Sequence, residues 1–81
     1  MRVRVLAFAQ LRELLGAHEQ MLELGPNASI ADAWAQLAAR HRGLDDERAS
    51  TRAARNGAIA GFDEELRDGD ELALLPPVGG G

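Results

Sequence analysis

The sequence of 81 residues contains no cysteine and no lysine. Without cysteine the chain forms neither disulfides nor thiolate metal sites, and it has no thiol nucleophile and no place for a cysteine persulfide. Its two histidines, His18 and His41, lie far apart and lack neighbouring ligands at zinc spacing. Ser29 and Ser50 have no histidine arranged beside them in sequence and are explained as a helix cap and a loop residue. We therefore expect no metal site and no self-contained catalytic centre.

Long apolar runs and basic clusters are also missing. No stretch reaches the roughly 20 apolar residues of a membrane span, and no basic start precedes an apolar signal core. All nine basic residues are arginine, and a net charge of −4 argues against nucleic-acid binding. The hydrophobic fraction of 46% and the charged fraction of 27% are ordinary for a globular protein. We expect one soluble, cytoplasmic domain that binds neither nucleic acid nor membrane.

Polar and apolar residues alternate in three segments, which predicts strands at Arg2–Phe8, His18–Leu24 and Glu71–Leu75. In the first strand the alternation places Val3 and Val5 toward the core. Leu6 and Phe8 share the parity of the arginines, so this strand bends or is covered on both sides near its end. In the last strand Leu72 and Leu74 face inward, and Leu75 faces outward.

Helical spacing marks two segments. Ala9–Leu15 predicts a short helix that ends before Gly16. The main helix begins after Ser29, which acts as its N-cap, with Asp32 as the acidic partner of a capping box, and it is predicted to continue to Gly43. Its apolar face repeats at helical intervals in Ile30, Trp34, Leu37, Ala38 and His41.

The middle of the chain carries weaker signals. Leu44–Thr51 reads as a loop with at most one helical turn, and Arg52–Asn56 is a weak strand because alanine is a poor strand former. Asn56-Gly57 is a hairpin turn signal, and it is followed by a short predicted strand at Ile59–Phe62. One main helix against four or five strands predicts a two-layer α+β domain.

The last six residues, Pro76-Pro77-Val78-Gly79-Gly80-Gly81, differ in composition from the rest. Proline fixes φ and favours an extended backbone, whereas glycine allows the most conformational freedom. We therefore divide the chain into a domain at 1–75 and a flexible tail at 76–81. Composition alone leaves open that this tail is only a frayed terminus.

Three segments together resemble the ubiquitin-like sulfur carriers, and among them the family of molybdopterin synthase small subunits. Leu66–Leu72 resembles the L-x-D-G-D-E-hydrophobic run before the last strand of that family. Leu75–Gly81 is similar to its P-P-V-x-G-G tail, and Phe8–Gly16 to its F-A-x-x-R-E-x-x-G opening. The resemblance spans residues 1–81 and implies a β-grasp fold, with a four- to five-stranded mixed sheet packed on one main helix. The sequence departs from the P-P-V-x-G-G pattern only in having a third glycine, Gly79, at the variable position.

The resemblance also implies a chemistry for the tail. An ATP-using adenylyltransferase related to ubiquitin-activating enzymes would adenylate Gly81, and sulfur would then replace AMP to leave a thiocarboxylate. The large catalytic subunit would use that sulfur to build the dithiolene of molybdopterin from cyclic pyranopterin monophosphate. Two small and two large subunits would form a heterotetramer. The chain itself would bind no cofactor and would carry only the covalent sulfur, and because the sequence already ends at Gly81 no processing is expected.

The tail, the outward-facing Leu75 and Ile59 are the candidate site residues. Gly81 would carry the reactive group, and the residues that would thread into the partner are Pro76, Pro77, Val78, Gly79 and Gly80. Glycines permit close approach in a narrow channel, and the prolines aim the tail away from the sheet. Leu75, just before the tail, and Ile59 are the candidate docking residues.

Three other functions remain open from the sequence. A sulfur carrier for the thiamine thiazole or for thiolated tRNA is the nearest, although the Pro-Pro pair and the opening motif favour molybdopterin synthase. A protein modifier would conjugate Gly81 to lysines of targets; lacking lysine, this chain would not build side-chain-linked polymers of itself. A plain binding module would leave the tail pattern unexplained.

Overall fold

The computed structural model describes residues 1–77, so Val78, Gly79, Gly80 and Gly81 lie outside the described residues. The described strands are β1 (Arg2–Ala7), β2 (Glu19–Glu23), β3 (Arg52–Arg55), β4 (Ala58–Ala60) and β5 (Glu71–Leu75). The helices are α1 (Ala9–Leu15), α2 (Ile30–Arg40) and a 3-10 helix (Leu44–Ser50). Within residues 1–77, no helix has the length and apolar character to cross a membrane.

The strands form one mixed sheet in the order β2-β1-β5-β3-β4. The central pair, β1 and β5, is parallel, and the remaining neighbours are antiparallel. Because β1 and β5 run in the same direction, the last residues of both strands lie at the same edge of the sheet. The predicted α+β architecture, a mixed sheet packed on one main helix, is confirmed.

One layer of helices covers one face of this sheet. Val3 and Val5 of β1 and Leu72 and Leu74 of β5 are at most 1% exposed, as the alternation predicts. The core residues that α2 contributes are Ile30, Ala33, Trp34 and Leu37. Burying aliphatic side chains of this size contributes about 1.5–3 kcal/mol each to folding, before the entropy cost of ordering the chain.

Helix α2 begins as predicted but ends early. The Ser29 hydroxyl accepts from the N–H of Asp32, and the Asp32 carboxylate accepts from the N–H of Ser29, which completes the capping box. The prediction that the helix continues to Gly43 was wrong, because α2 ends at Arg40 and His41 is extended. The chain reverses there into the 3-10 helix, with Gly43 in the left-handed region at φ 89°. Trp34 Nε1 donates to Asp45 Oδ1 at 2.9 Å and holds the reversed segment against α2.

The short strand after the hairpin turn was also misplaced. Asn56 and Gly57 have positive φ values of 50° and 86°, as a tight two-residue hairpin requires, so β4 pairs at once as Ala58–Ala60 and not as Ile59–Phe62. The chain then leaves the sheet, because the carbonyls of Phe62 and Glu64 accept from the first amides of α2. These bonds satisfy amides that a helix N-terminus otherwise leaves unpaired.

The other boundaries shift by a residue or two. β1 ends at Ala7 and not Phe8, because Phe8 is the N-cap residue of α1. β2 occupies Glu19–Glu23 within the predicted His18–Leu24. Helix α1 and strand β5 have the predicted bounds.

Candidate functional site

The sheet face away from the helices carries the residues that the sequence assigns to docking. Alternation along the strands places on this face, which we call the open face, Arg2, Arg4, Leu6, Glu19, Met21, Glu23, Arg52, Ala54, Ile59, Glu71, Ala73 and Leu75. The side chains here are exposed or half-buried except that of Ala54, which is 7% exposed. The open face is thus accessible to a partner.

An apolar row crosses four strands of the open face. The register places Leu6 beside Ala73, Ala73 beside Ala54, and Ala54 beside Ile59. Ile59 is 66% exposed, which is unusual for so large an aliphatic side chain in a small domain. The predicted docking residue Ile59 therefore lies at one end of a continuous apolar surface.

Ion pairs occupy the other half of the open face. Arg2 Nε lies 3.2 Å from Glu23 Oε1, and Arg4 contacts both Glu71 and Glu19. These side chains are largely exposed, so each pair contributes at most about 1 kcal/mol to stability. With two arginines and three glutamates, this half of the face has a net charge of −1.

The tail leaves the domain beside the apolar row. Leu75, the last residue of β5, pairs with Arg52 of β3, lies on the open face as its parity predicts, and is half-buried. Pro76 is half-buried and Pro77 is exposed. The fold therefore brings Leu75 and Ile59 to one face, on strands separated by β3. The tail residues Val78 to Gly81 lie outside the described residues.

A buried carboxylate fixes the turn before β5, and the sequence reasoning did not find it. Asp70 accepts from Arg55 Nε at 2.6 Å, from Asn56 Nδ2 at 2.9 Å and from the N–H of Arg67 at 2.8 Å. Burial raises the pKa of Asp70, but the hydrogen bonds from Arg55, Asn56 and Arg67 outweigh it and lower the pKa below its usual value. The second aspartate of the Asp68-Gly69-Asp70 motif was the available signal for this role.

The described residues offer little for catalysis. Within residues 1–77, no group of three or more histidine or acidic side chains is placed to hold a metal ion. The hydroxyls in this range serve the backbone: Ser29 caps α2, while Ser50 and Thr51 donate to the carbonyl of Glu47. The candidate site is thus the open face together with Pro76 and Pro77, the last described residues, where the tail leaves the domain.

Comparison with known proteins places the chain among sulfur carriers. The family model described as the ThiS family matches residues 5–81. The molybdopterin synthase sulfur carrier subunit of Chlamydomonas reinhardtii is 42% identical, and the match covers 100% of both chains. The subunit of the same name in Escherichia coli is 38% identical over 98% of this chain and 99% of its own.

Solved structures have the same fold. A putative molybdopterin converting factor subunit 1 from Pyrococcus furiosus aligns with a TM-score of 0.86 at 35% identity, covering 96% of this chain and 99% of its own. SAMP1 from Haloferax volcanii aligns with a TM-score of 0.83 at 30% identity over 100% of both chains. A chain from the complex of subunits 1 and 2 of the molybdopterin-converting factor from Helicobacter pylori aligns with a TM-score of 0.70 over 100% of both chains. At 23% identity, this match supports the fold alone. The β-grasp fold that the sequence predicts is confirmed.

Proposed function

The chain belongs to the ThiS family, and from this premise we propose that it is the sulfur carrier subunit of a molybdopterin synthase. The observation that carries the proposal is the full-length similarity to two subunits of that name, at 42% and 38% identity. The Pro76-Pro77 pair and the terminal glycines of this sequence agree with it.

The reactive position in this proposal is the carboxylate of Gly81. A carboxylate is a poor acyl electrophile, so an adenylyltransferase first joins it to AMP from ATP and releases pyrophosphate. A sulfur nucleophile then displaces AMP and leaves a thiocarboxylate on Gly81. The large subunit takes one sulfur from each of two carriers to convert cyclic pyranopterin monophosphate into the dithiolene of molybdopterin.

The remaining residues of the chain present this group to partners. Leu75 and Ile59 dock on the partner through the open face, while Pro76 and Pro77 direct Val78, Gly79 and Gly80 into its active site. Six residues span at most about 20 Å, which is enough to reach a recessed pocket. The partners are the large catalytic subunit, in a heterotetramer of two small and two large chains, and the adenylyltransferase.

A protein modifier is the second candidate function. It is favoured by the similarity to SAMP1 from Haloferax volcanii, which is named a small archaeal modifier protein. In that function the activated Gly81 forms an amide with a lysine of a target. The two functions share the adenylation step and differ in the nucleophile that displaces AMP.

Reconstitution separates these functions. The purified chain is incubated with ATP, the adenylyltransferase and a sulfur donor, and its intact mass is measured. We expect a gain equal to the difference between one sulfur and one oxygen atom, and a return to the starting mass when the large subunit and cyclic pyranopterin monophosphate are added. Formation of molybdopterin is the second readout. No mass gain, or sulfur that passes to a thiazole synthase and not to the large subunit, contradicts the proposal.

A further inference from the structure

Among the described residues, every carboxylate of the open face has an ion-pair partner, but one of its arginines does not. Its three carboxylates, those of Glu19, Glu23 and Glu71, are all within ion-pair distance of Arg2 or Arg4. The third cation of this face, Arg52, is exposed and has no carboxylate within 4.0 Å among residues 1–77. A chain with a net charge of −4 thus leaves an arginine without a described partner on the face beside its tail.

Arg52 lies next to the point where the tail leaves the domain. The register pairs Arg52 with Leu75, the last residue before Pro76, and Ala54 follows it on the same face. An arginine can lay its aliphatic stem along such apolar neighbours and keep the guanidinium at the surface. Arginine is also among the residues most enriched at energetically important interface positions.

We propose that Arg52 binds a carboxylate on the large subunit, at the point where the tail enters that protein. This inference rests on the proposed function, since it takes the large subunit as the partner. The surface that receives the carrier then combines an apolar pocket for Leu75 and Ile59 with an acidic side chain beside the tail entrance. A guanidinium and a carboxylate form paired hydrogen bonds, so the contact also fixes the orientation of the tail.

The phosphate of the adenylate is not the anion for Arg52. Arg52 lies beside residue 75, and the group that carries the nucleotide is at Gly81, six residues further along the chain. Contact with that phosphate requires the tail to reverse direction after Pro76 and Pro77, whose fixed φ angles favour an extended backbone that leads away from Arg52. An acidic side chain near the tail entrance meets no such obstacle.

The test compares two charge reversals in the full-length chain. Arg52→Glu removes the proposed contact and repels the carboxylate, whereas Arg40→Glu makes the same change in net charge at the exposed end of α2. Binding to the purified large subunit is measured at two salt concentrations, and thermal melting checks that both variants fold. We expect Arg52→Glu to weaken binding at least tenfold at low salt, Arg40→Glu to change it less than threefold, and Arg52→Lys to retain part of the affinity.

Salt supplies a second readout. The affinity of the unaltered chain should fall as salt rises, and that of Arg52→Glu should fall less, because screening weakens attraction and relieves repulsion. Equal binding by the two reversals overturns the inference, as does a loss confined to adenylation. If the unaltered chain does not bind the large subunit, the proposed function itself is contradicted. If the unaltered chain binds but the two reversals behave alike, only the inference about Arg52 is contradicted.

Discussion

The Nε atom of Arg55 donates to the Oδ2 atom of Asp70 at 2.6 Å, which ties the end of β3 to the turn before β5. Asn56 extends the connection, because its amide nitrogen donates to Asp70 and its amide oxygen accepts from the N–H of Glu71. Strand β5 leads directly into the tail. The network therefore fixes the position from which Pro76 leaves the domain.

Removing the Asp70 carboxylate should destabilise the fold. Asp70→Ala removes the buried acceptor that Arg55, Asn56 and Arg67 share, and each such hydrogen bond contributes about 0.5–1.5 kcal/mol net to stability. We expect the free energy of unfolding, measured by urea denaturation with Trp34 fluorescence, to fall by about 2 kcal/mol. Asp46→Ala, at an exposed acidic position, is the matched control and should change it by less than about 0.5 kcal/mol. Equal losses in the free energy of unfolding for the two variants would show that the hydrogen bonds of Asp70 do not stabilise the fold.

The same carboxylate makes stability depend on pH. Since the pKa of Asp70 is lower in the folded chain than in the unfolded one, its stabilising effect is complete above about pH 4 and is lost as pH falls through the folded value. Asp70→Asn removes this titration. We expect the unaltered chain to lose more of its free energy of unfolding between pH 7 and pH 3 than Asp70→Asn does; parallel losses would contradict the assignment.

The sequence predicted the fold where one local signal sufficed. Ser29 and Asp32 marked the start of α2, and Asn56-Gly57 marked the hairpin, because both features are set by side chains within a few residues. The end of α2 depended on Asp45 reaching back to Trp34, and the short β4 depended on carbonyls of the next segment capping α2. Such contacts join distant residues, so no local periodicity encodes them.

The residues of the candidate site also differ in whether local sequence signals could predict them. Leu75 was found from its parity in the last strand and its place before the tail, and Ile59 was named as a second docking candidate. Arg52 and Asp70 were not, since their roles depend on which strands become neighbours, and the register that pairs Arg52 with Leu75 exists only in the folded sheet.

Ile59 should contribute more to docking than Met21, which is also a large exposed hydrophobic residue. Ile59→Ala removes most of a 66% exposed side chain from the apolar row, whereas Met21→Ala removes a 49% exposed one from the half of the open face that carries ion pairs. We expect Ile59→Ala to weaken binding to the large subunit about tenfold, within the range of interface anchor residues, and Met21→Ala to have little effect. Titration calorimetry with the large subunit measures the affinity of both variants. A larger loss for Met21→Ala than for Ile59→Ala would place docking on the half of the open face that carries the ion pairs.

Activation should not link copies of this chain to one another. The sequence has no lysine, and the Met1 ammonium donates to the carbonyl of Leu24 at 2.6 Å in a partly buried position. Incubated with ATP and the adenylyltransferase but without a sulfur donor, the chain should remain a single species on a denaturing gel. A ladder of covalent multimers would contradict this and favour the modifier function. Addition of a small primary amine is the positive control, because the amine displaces AMP and forms an amide.

Deleting Gly81 should abolish sulfur transfer and leave the domain folded. The domain core lies within residues 1–77, so loss of the last residue removes none of the buried side chains described there. The adenylated carbonyl would then belong to Gly80, one residue closer to the domain, and extended chain spacing puts it roughly 3.5 Å short of its position in the partner. Misplacement of a reacting atom by even about 1 Å can cost 10²-fold in rate, so molybdopterin formation in the reconstituted system should fall below detection. Gly79→Ala, which keeps both the length of the tail and its last two glycines, is the matched control and should retain molybdopterin formation. Full activity of the chain without Gly81 would show that sulfur transfer does not depend on the position that Gly81 gives the terminal carbonyl.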